Sequence, residues 1–192
     1  AAIVLGISGK KEELVQIEKA ASYHIPLIKR FSGGGTVVVD HNTLFVTFIF
    51  SKKSHPFPAY PEPIMLWSED FYRPIFARSD FCLKENDYVL ADKKFGGNAQ
   101  YLKKERWLHH TSFLWDYNPN YMDCLLHPKK SPCYRANRVH HEFICKLSDY
   151  YPNLQTVITA IKEHLHTLYP VIIPSTGSFL SQNISRRTTS FL

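Results

Sequence analysis

Four short stretches carry residues able to act on anionic groups. Residues 29–40 read KRFSGGGTVVVD, so Arg30 stands just ahead of three consecutive glycines, Gly33, Gly34 and Gly35. Glycine has no Cβ and reaches positive φ at little cost, which lets backbone N–H groups approach a ligand oxygen. Arg30 adds a fixed charge and a planar donor fork that suits phosphate or carboxylate. The stretch matches neither GxxxxGK[ST] nor GxGxxG, and no helix is expected after it. A simple glycine turn between strands, with a solvated arginine, fits the same residues.

Residues 92–100, DKKFGGNAQ, place Lys93 and Lys94 ahead of a second glycine pair. Strand alternation sends the two lysines to opposite faces, so only one can face a pocket. An ammonium held there stabilises charge on an acyl or phosphoryl oxygen. Two solvated lysines beside a bulge are the alternative. Asn86-Asp87 lies between two extended segments, where it could bond a base, hold Mg²⁺ or simply form a turn. His109-His110 sits in the alternating run WLHHTSFLWD. Neighbours in a strand face opposite ways and cannot share one zinc ion, and no cysteine or acidic ligand lies at finger spacing.

These residues need a scaffold, and the hydrophobic pattern supplies one. AIVLGI (2–7) reads as a strand. Residues 11–22 put Leu14, Ile17 and Ala21 on one face of a helix. TVVVD and TLFVTFIF, separated by Asp40, His41 and Asn42, read as a hairpin. Residues 63–78 form a helix that Pro74 bends or ends. FCLKEN, DYVLAD, KKFGGNAQYL and RWLHHTSFLWD read as an antiparallel meander over 80–116. PNYMDCLL, HHEFICKLSDYY and NLQTVITAIKEHLHTLY read as helices joined by the basic loop HPKKSPCYRANR. The expectation is an α+β fold, with a mixed, largely antiparallel sheet flanked by helices over residues 1–170. A Ser/Thr-rich tail over 171–192 follows.

The 192 residues suit one domain, and a hydrophobic content of 44% with 21% charged residues is that of a folded chain. No apolar run reaches the roughly 18 residues of a membrane helix. The four cysteines show no CxxC spacing, so free thiols are expected. The net charge of +6 attracts acidic partners. Binding of nucleic acid would require aromatic residues interleaved with Arg or Lys along a groove, and the sequence shows no such strip.

RFSGGGTVVVD, ENDYVLADKKFGGNAQ and HHTSFLWD, in that order and over roughly residues 2–150, resemble the lipoate–protein ligases of the biotin/lipoate ligase superfamily. The resemblance implies that fold, and activation of lipoate or octanoate by ATP. The resulting acyl-adenylate would be transferred to a lysine of a lipoyl domain. It implies Lys94 as the essential catalytic lysine. Arg30 would lie on the nucleotide side, followed by Ser32, Gly33, Gly34, Gly35, Thr36, Val37 and Val38 around the adenylate. Asn86 and Asp87 would stand beside it, Gly97 and Ala99 would let it lie close to the strand, and His110 would stand on the later strand. Mg²⁺ would travel with the ATP phosphates and need no dedicated cage. The implied partners are lipoyl domains of 2-oxoacid dehydrogenases or the H protein of glycine cleavage, with neither nucleic acid nor membrane.

Val39-Asp40-His41-Asn42 lacks a histidine that the family often has after the glycines, and Asn98 and Thr111 stand where serine and glycine are common. The family's first strand and helix are expected ahead of Ala1. A targeting segment could precede them, so cytoplasm and mitochondrion are both open. The small C-terminal domain of some ligases has no room here, which implies a single-domain type or a second polypeptide. The alternative within the superfamily is an ATP-independent octanoyl or lipoyl transferase, for which Cys133 would be the thioester cysteine. A biotin ligase would show GRGRxGR in place of RFSGGG.

Overall fold

The computed structural model describes residues 1–128, 131–170 and 189–192. Two sheets carry the fold. The smaller combines β1 (Ala2–Leu5), β2 (Leu27–Lys29), β3 (Val37–Val39) and, at its edge, two residues paired with β2 near the C-terminus. The larger is fully antiparallel, in the order β4 (Thr43–Ser51), β8 (Arg106–Leu114), β7 (Lys93–Leu102), β6 (Asp87–Leu90), β5 (Phe81–Lys84). Among the named strands of the described residues, only β1 and β2 pair in parallel. The class is therefore the α+β arrangement expected, divided over two sheets. Of the tail expected over 171–192, residues 171–188 lie outside the described residues.

Alternation builds the larger sheet. Along β8, Trp107, His109, Thr111 and Phe113 are buried, and Leu108, His110, Ser112 and Leu114 point the other way. The buried set meets α3 (Pro61–Phe76) and α6 (Leu154–Leu168) in an aromatic-rich core with Tyr72, Phe76, Tyr88 and Phe95. The second core lies under the smaller sheet and gathers Ile3, Leu5, Val15, Val38, Leu125 and Phe143. Between the two sheets runs a cleft.

The structure corrects several expectations. The run 11–22 is not one helix: it divides into α1 (Lys11–Leu14) and α2 (Ile17–Ser22). At the break Val15 bridges to Leu125 and the Gln16 N–H bonds the Cys124 carbonyl, so tertiary pairing outcompetes helical bonds. Ile17 and Ala21 are exposed, and Val15 and Ala20 are buried in their place. The expected hairpin of TVVVD and TLFVTFIF does not form. β3 pairs with β1 and β4 with β8, and the turn at Asp40–Asn42 carries the chain from one sheet to the other. Pro74 lies inside α3, which ends two residues later where Ala77 turns left-handed (φ 38°). PNYMDCLL and HHEFICKLSDYY contribute only the single turns α4 (Pro119–Met122) and α5 (His140–Phe143), with a 3₁₀ turn at Leu147–Asp149. All four cysteines are free.

His109 is fully buried, with Gln100 Nε2 at 3.1 Å from its Nδ1. Burial, with a smaller push from His110, takes its pKa down to about 3. An unfolded histidine titrates near ~6.5, so between the two values the unfolded chain binds more protons. This contribution to stability is full above about pH 6.5 and is lost as pH falls toward 3, at up to about 1.4 kcal/mol per pH unit. Urea midpoints measured from pH 7 to pH 4 should fall more steeply for the native protein than for His109→Gln. Parallel curves would contradict this.

Candidate active site

The cleft contains two adjoining cavities. The larger, of about 790 Å³, is walled by the start of α1, the glycine loop, the β5–β6 turn, β7 and the segment 131–144. The smaller, of about 290 Å³, lies between the loop and the outer faces of β4, β7 and β8. They share Gly35, Thr36, Val37, Lys94, Gly97, Asn98, Ala99 and Ser112, so these residues form the seam.

Lys94 reaches the seam because of a bulge. Asp87 pairs with Gly97 and Tyr88 with Gly96, but Val89 pairs with Lys94, which leaves Phe95 as the extra residue. The bulge puts Lys94 on the face of Asp87 and Gly97, while Phe95 and Gly96 turn into the core. Lys93 is exposed and lines neither cavity. Lys94 Nζ stands 2.8 Å from Asp87 Oδ1, with the lysine side chain 24% exposed and the aspartate 8%. Asp87 Oδ2 accepts a hydrogen bond from the Tyr134 hydroxyl at 2.8 Å. Burial first, then Asp87, raises the Tyr134 pKa, so the phenol stays a donor. A Cβ on Gly97 would stand 3.1 Å from Lys94 Nζ, so that glycine is the floor on which the ammonium rests.

The glycine loop is built around Arg30. Its Nη2 donates to the Gly33 and Gly35 carbonyls at 3.0 and 2.8 Å. Its Nε donates to Ser32 Oγ at 3.2 Å, and Nη1 to the Val4 carbonyl at 3.3 Å. The expectation of an arginine turned toward a nucleotide is thus modified: most of its fork holds the loop in shape. Burial lowers its pKa from the ordinary value, and the carbonyls around it take up its donors. Ser32 is buried and positions the loop further by accepting the Ile7 N–H at its carbonyl. Gly34 has φ +106°, and a Cβ there would stand 2.7 Å from Arg30 Nη2 and 3.3 Å from the Asn98 carbonyl. A Cβ at Gly33 or Gly35 meets no protein atom within 4 Å, so those two positions leave open space above the loop. Gly34→Ala should therefore strain the loop by roughly 1–3 kcal/mol and weaken binding in both cavities about tenfold or more. Gly35→Ala should leave the apo protein's melting temperature unchanged. Calorimetric titration and thermal melts of both variants check this.

The remaining expected residues divide into wall and support. Val37 lines both cavities, whereas Val38 packs in the second core and reaches only the larger. Thr36 lines both, and its buried Oγ1 has no hydrogen-bond partner. Ala99 lies at the seam opposite His110 in register. His110 lines the smaller cavity, stacks on Phe45 at 4.9 Å, and has Thr47 Oγ1 2.6 Å from its Nδ1. Burial and then Arg30 lower its pKa, which favours the neutral ring. Asn86 offers its carbonyl to Asn98 Nδ2 at 3.0 Å, and Asn98 Oδ1 accepts from Thr111 at 2.6 Å. The two residues that depart from the family pattern thus brace the Asn86 turn. Tyr134, Arg135 and Ser112 belong to the site and did not emerge from the sequence. Tyr134 and Arg135 sit in the basic loop 127–138, which the sequence marked by its charge and by Cys133 but not at these two positions. Among the described residues, no group of three or more His, Cys, Asp or Glu side chains could hold a metal ion.

Chemically, the seam offers one ammonium, a glycine loop and two cavities of unlike character. The smaller is dominated by Val4, Phe31, Val39, Phe45 and Leu108 and suits an apolar chain. The larger carries Lys10, Glu85, Asp87 and Arg135 on its walls and suits a polar, charged molecule.

Residues 1–166 match the sequence model of the lipoyl protein ligase A/B catalytic domain. Inactive lipoate–protein ligase 2 of Plasmodium falciparum (isolate 3D7) is 30% identical over 200 residues, covering 86% of this chain and 50% of that protein. The chain spans about half the length of the curated relatives it matches. Among solved structures, a lipoate-protein ligase A bound with ATP gives a TM-score of 0.69 at 18% identity, covering 86% of this chain and 69% of that one. The bi-partite lipoate protein ligase of Thermoplasma acidophilum, described with its E2 lipoyl domain, gives 0.68 at 20% identity, covering 86% and 68%. At such identities the structural likeness bears on the fold.

Proposed function

This chain belongs to the lipoyl protein ligase A/B catalytic-domain family, and from that premise we propose that it joins lipoate, or octanoate, to a lysine of a lipoyl domain through an acyl-adenylate. The observation that carries this reading is Lys94, held by Asp87 at the seam where an apolar cavity meets a larger one that also carries charged side chains. The two halves of an acyl-adenylate differ in the same way. The acyl chain would fill the smaller cavity and the nucleotide the larger, with the mixed anhydride over Gly97.

In the first step, a carboxylate oxygen attacks the α-phosphorus of ATP, the bond to the β-phosphate oxygen breaks, and pyrophosphate leaves. Two anions must meet, and the Lys94 ammonium offsets their repulsion while the loop N–H groups fix their approach. In the second, the neutral amine of the target lysine attacks the acyl carbonyl, the bond to the phosphate oxygen breaks, and AMP and a proton depart. No enzyme nucleophile is needed. The unpartnered Thr36 Oγ1 fits a ligand in the cleft, because buried hydroxyls ordinarily have partners. Mg²⁺ would enter with the ATP phosphates.

Cys133 lines neither cavity, which disfavours the ATP-independent transferase. The name of the Plasmodium relative gives weight to a second reading, a chain that binds the adenylate without turnover. One experiment separates all three. The protein is mixed with an apo lipoyl domain and either lipoate with ATP·Mg or an acyl-loaded carrier protein without ATP, the domain's mass is followed, and lipoyl-adenylate binding is measured alongside. A gain of one lipoyl group only with ATP supports the ligase. A gain from an acyl carrier protein without ATP supports the transferase, and no gain under either condition, with the adenylate bound, supports the binding-only reading.

A further inference from the structure

Arg135 stands apart from the other cations that line the larger cavity among the described residues. Lys10 pairs with Glu13, and Lys94 with Asp87. Arg135 lines the same cavity, is only 3% exposed, and has no carboxylate partner among the described residues. Its Nη2 is buried without any hydrogen-bond partner. Leaving a buried guanidinium nitrogen unsatisfied is costly, so such groups ordinarily find an acceptor. The nearby acids are engaged elsewhere: Glu85 accepts the Cys133 N–H at 2.6 Å, and Asp87 holds Lys94 and Tyr134.

The side chain is also fixed in place. Arg135 Nε donates to the Arg138 carbonyl at 2.9 Å, and Arg138 Nε donates back to the Arg135 carbonyl at 3.0 Å. Ala136 and Asn137, both left-handed (φ 51° and 60°), make the tight turn that this exchange requires. The guanidinium lies over the Phe143 ring at 4.9 Å. Arg138 is spent on Asp92 and the Tyr134 carbonyl, so it cannot serve in Arg135's stead. One nitrogen of a preorganised donor fork on the cavity wall is therefore left without an acceptor.

We propose that Arg135 is a phosphate-binding residue, whose unpartnered nitrogen takes a phosphoryl oxygen of a nucleotide or of pyrophosphate in the larger cavity. This rests on the reading that the larger cavity is the nucleotide side. It moves the phosphate-binding arginine away from Arg30, whose fork holds the loop, to a segment with no part in the glycine motif. It also accounts for a buried cation on the cavity that Lys94 lines: two positive charges would approach a polyphosphate from different walls.

The test is calorimetric titration of the native protein, Arg135→Gln and Arg135→Lys with ATP, AMP, pyrophosphate and lipoate. Arg135→Gln should weaken ATP or pyrophosphate binding by roughly 10- to 100-fold and leave lipoate binding unchanged. Arg135→Lys should lose less, since it keeps the charge and not the fork. Equal losses for AMP and ATP would place the contact at the α-phosphate, and a loss confined to ATP and pyrophosphate would place it at the departing phosphates. If the native protein binds pyrophosphate but no ATP, and Arg135→Gln loses the pyrophosphate, the anion site stands and the ligase reading falls. Unchanged anion binding in folded Arg135→Gln, or no anion binding by the native protein, overturns the proposal. Should Arg135→Gln fold poorly, the native protein supplies a second readout. The guanidinium NMR signal that disappears in Arg135→Lys should shift on adding pyrophosphate, and a static signal overturns the proposal.

Discussion

Replacing Lys94 by alanine should lower acyl-adenylate formation by about 10³-fold or more while the protein remains folded. The ammonium sits at the seam, 2.8 Å from Asp87, and its neighbours in the strand's register leave it facing the cleft rather than the core. Its removal takes away the one cation that, among the described residues, lines both cavities, at the point where, on the proposed function, carboxylate and α-phosphate would meet. The fold should survive because Asp87 keeps the Tyr134 hydroxyl and the rim admits water. A cost of roughly 1–3 kcal/mol is expected from the partner left behind, a shift of several degrees in melting temperature. Lipoate binding should change little, because on the proposed function its chain would lie among the aliphatic and aromatic walls of the smaller cavity. Lys94→Arg should not restore activity. The amine rests 3.1 Å from where a Gly97 Cβ would be, and a planar fork needs more room. Single-turnover measurement of the adenylate, with circular dichroism on the same samples, checks each part.

Arg30→Ala should weaken lipoate and ATP binding together, each by roughly 10- to 100-fold, and Arg30→Lys should rescue neither. The four hydrogen bonds from this guanidinium fasten Ser32, Gly33 and Gly35 to the end of β1 at Val4. Without them three successive glycines are free to wander, and ordering them again is charged to every binding event. A lysine has three donors on one atom and cannot span four acceptors spread along the loop. The joint loss is the discriminating feature. An arginine that simply touched phosphate would affect ATP alone, and lysine would keep part of that contact. Titrations with each ligand separately distinguish the two.

Much of the larger sheet was legible because its strands alternate cleanly and turn residues separate them: β5 to β8 run as the expected meander. In the smaller sheet the strands at 2–5 and 37–39 were legible but their pairing was not. The short linker 40–42 suggested a hairpin, yet β3 finds β1 and β4 finds β8, and only long-range packing decides between a hairpin and a crossing from sheet to sheet. The helix expected over 11–22 had the right spacing, but bonds from Gln16 and Leu126 across to residues 124 and 14 broke it, and those partners are more than a hundred residues away.

At the site, the glycine loop and the Lys94 element could be found by residue type, and their resemblance to a family ordered them. Alternation alone would have misled at the lysines. Counting back from Gly97 by twos reaches Lys93, and it is the bulge at Phe95 that exchanges the two. A bulge leaves almost no mark in sequence beyond the glycine pair that accompanies it. Arg135 was hidden for another reason. In a loop rich in basic residues, burial of one of them is set by the turn at 136–137 and by Phe143, neither of which stands out in the sequence.

The central claim is that the two cavities hold the two halves of one mixed anhydride, joined over Gly97 and under Lys94. A crystal structure with a non-hydrolysable lipoyl-adenylate analogue tests it most directly. The account predicts the acyl chain between Val39, Phe45 and Leu108, the nucleotide in the larger cavity, and Lys94 Nζ within hydrogen-bonding distance of the bridging phosphoryl group. An analogue bound elsewhere, or lying in the cleft with Lys94 still paired only to Asp87 and remote from the phosphorus, would contradict it.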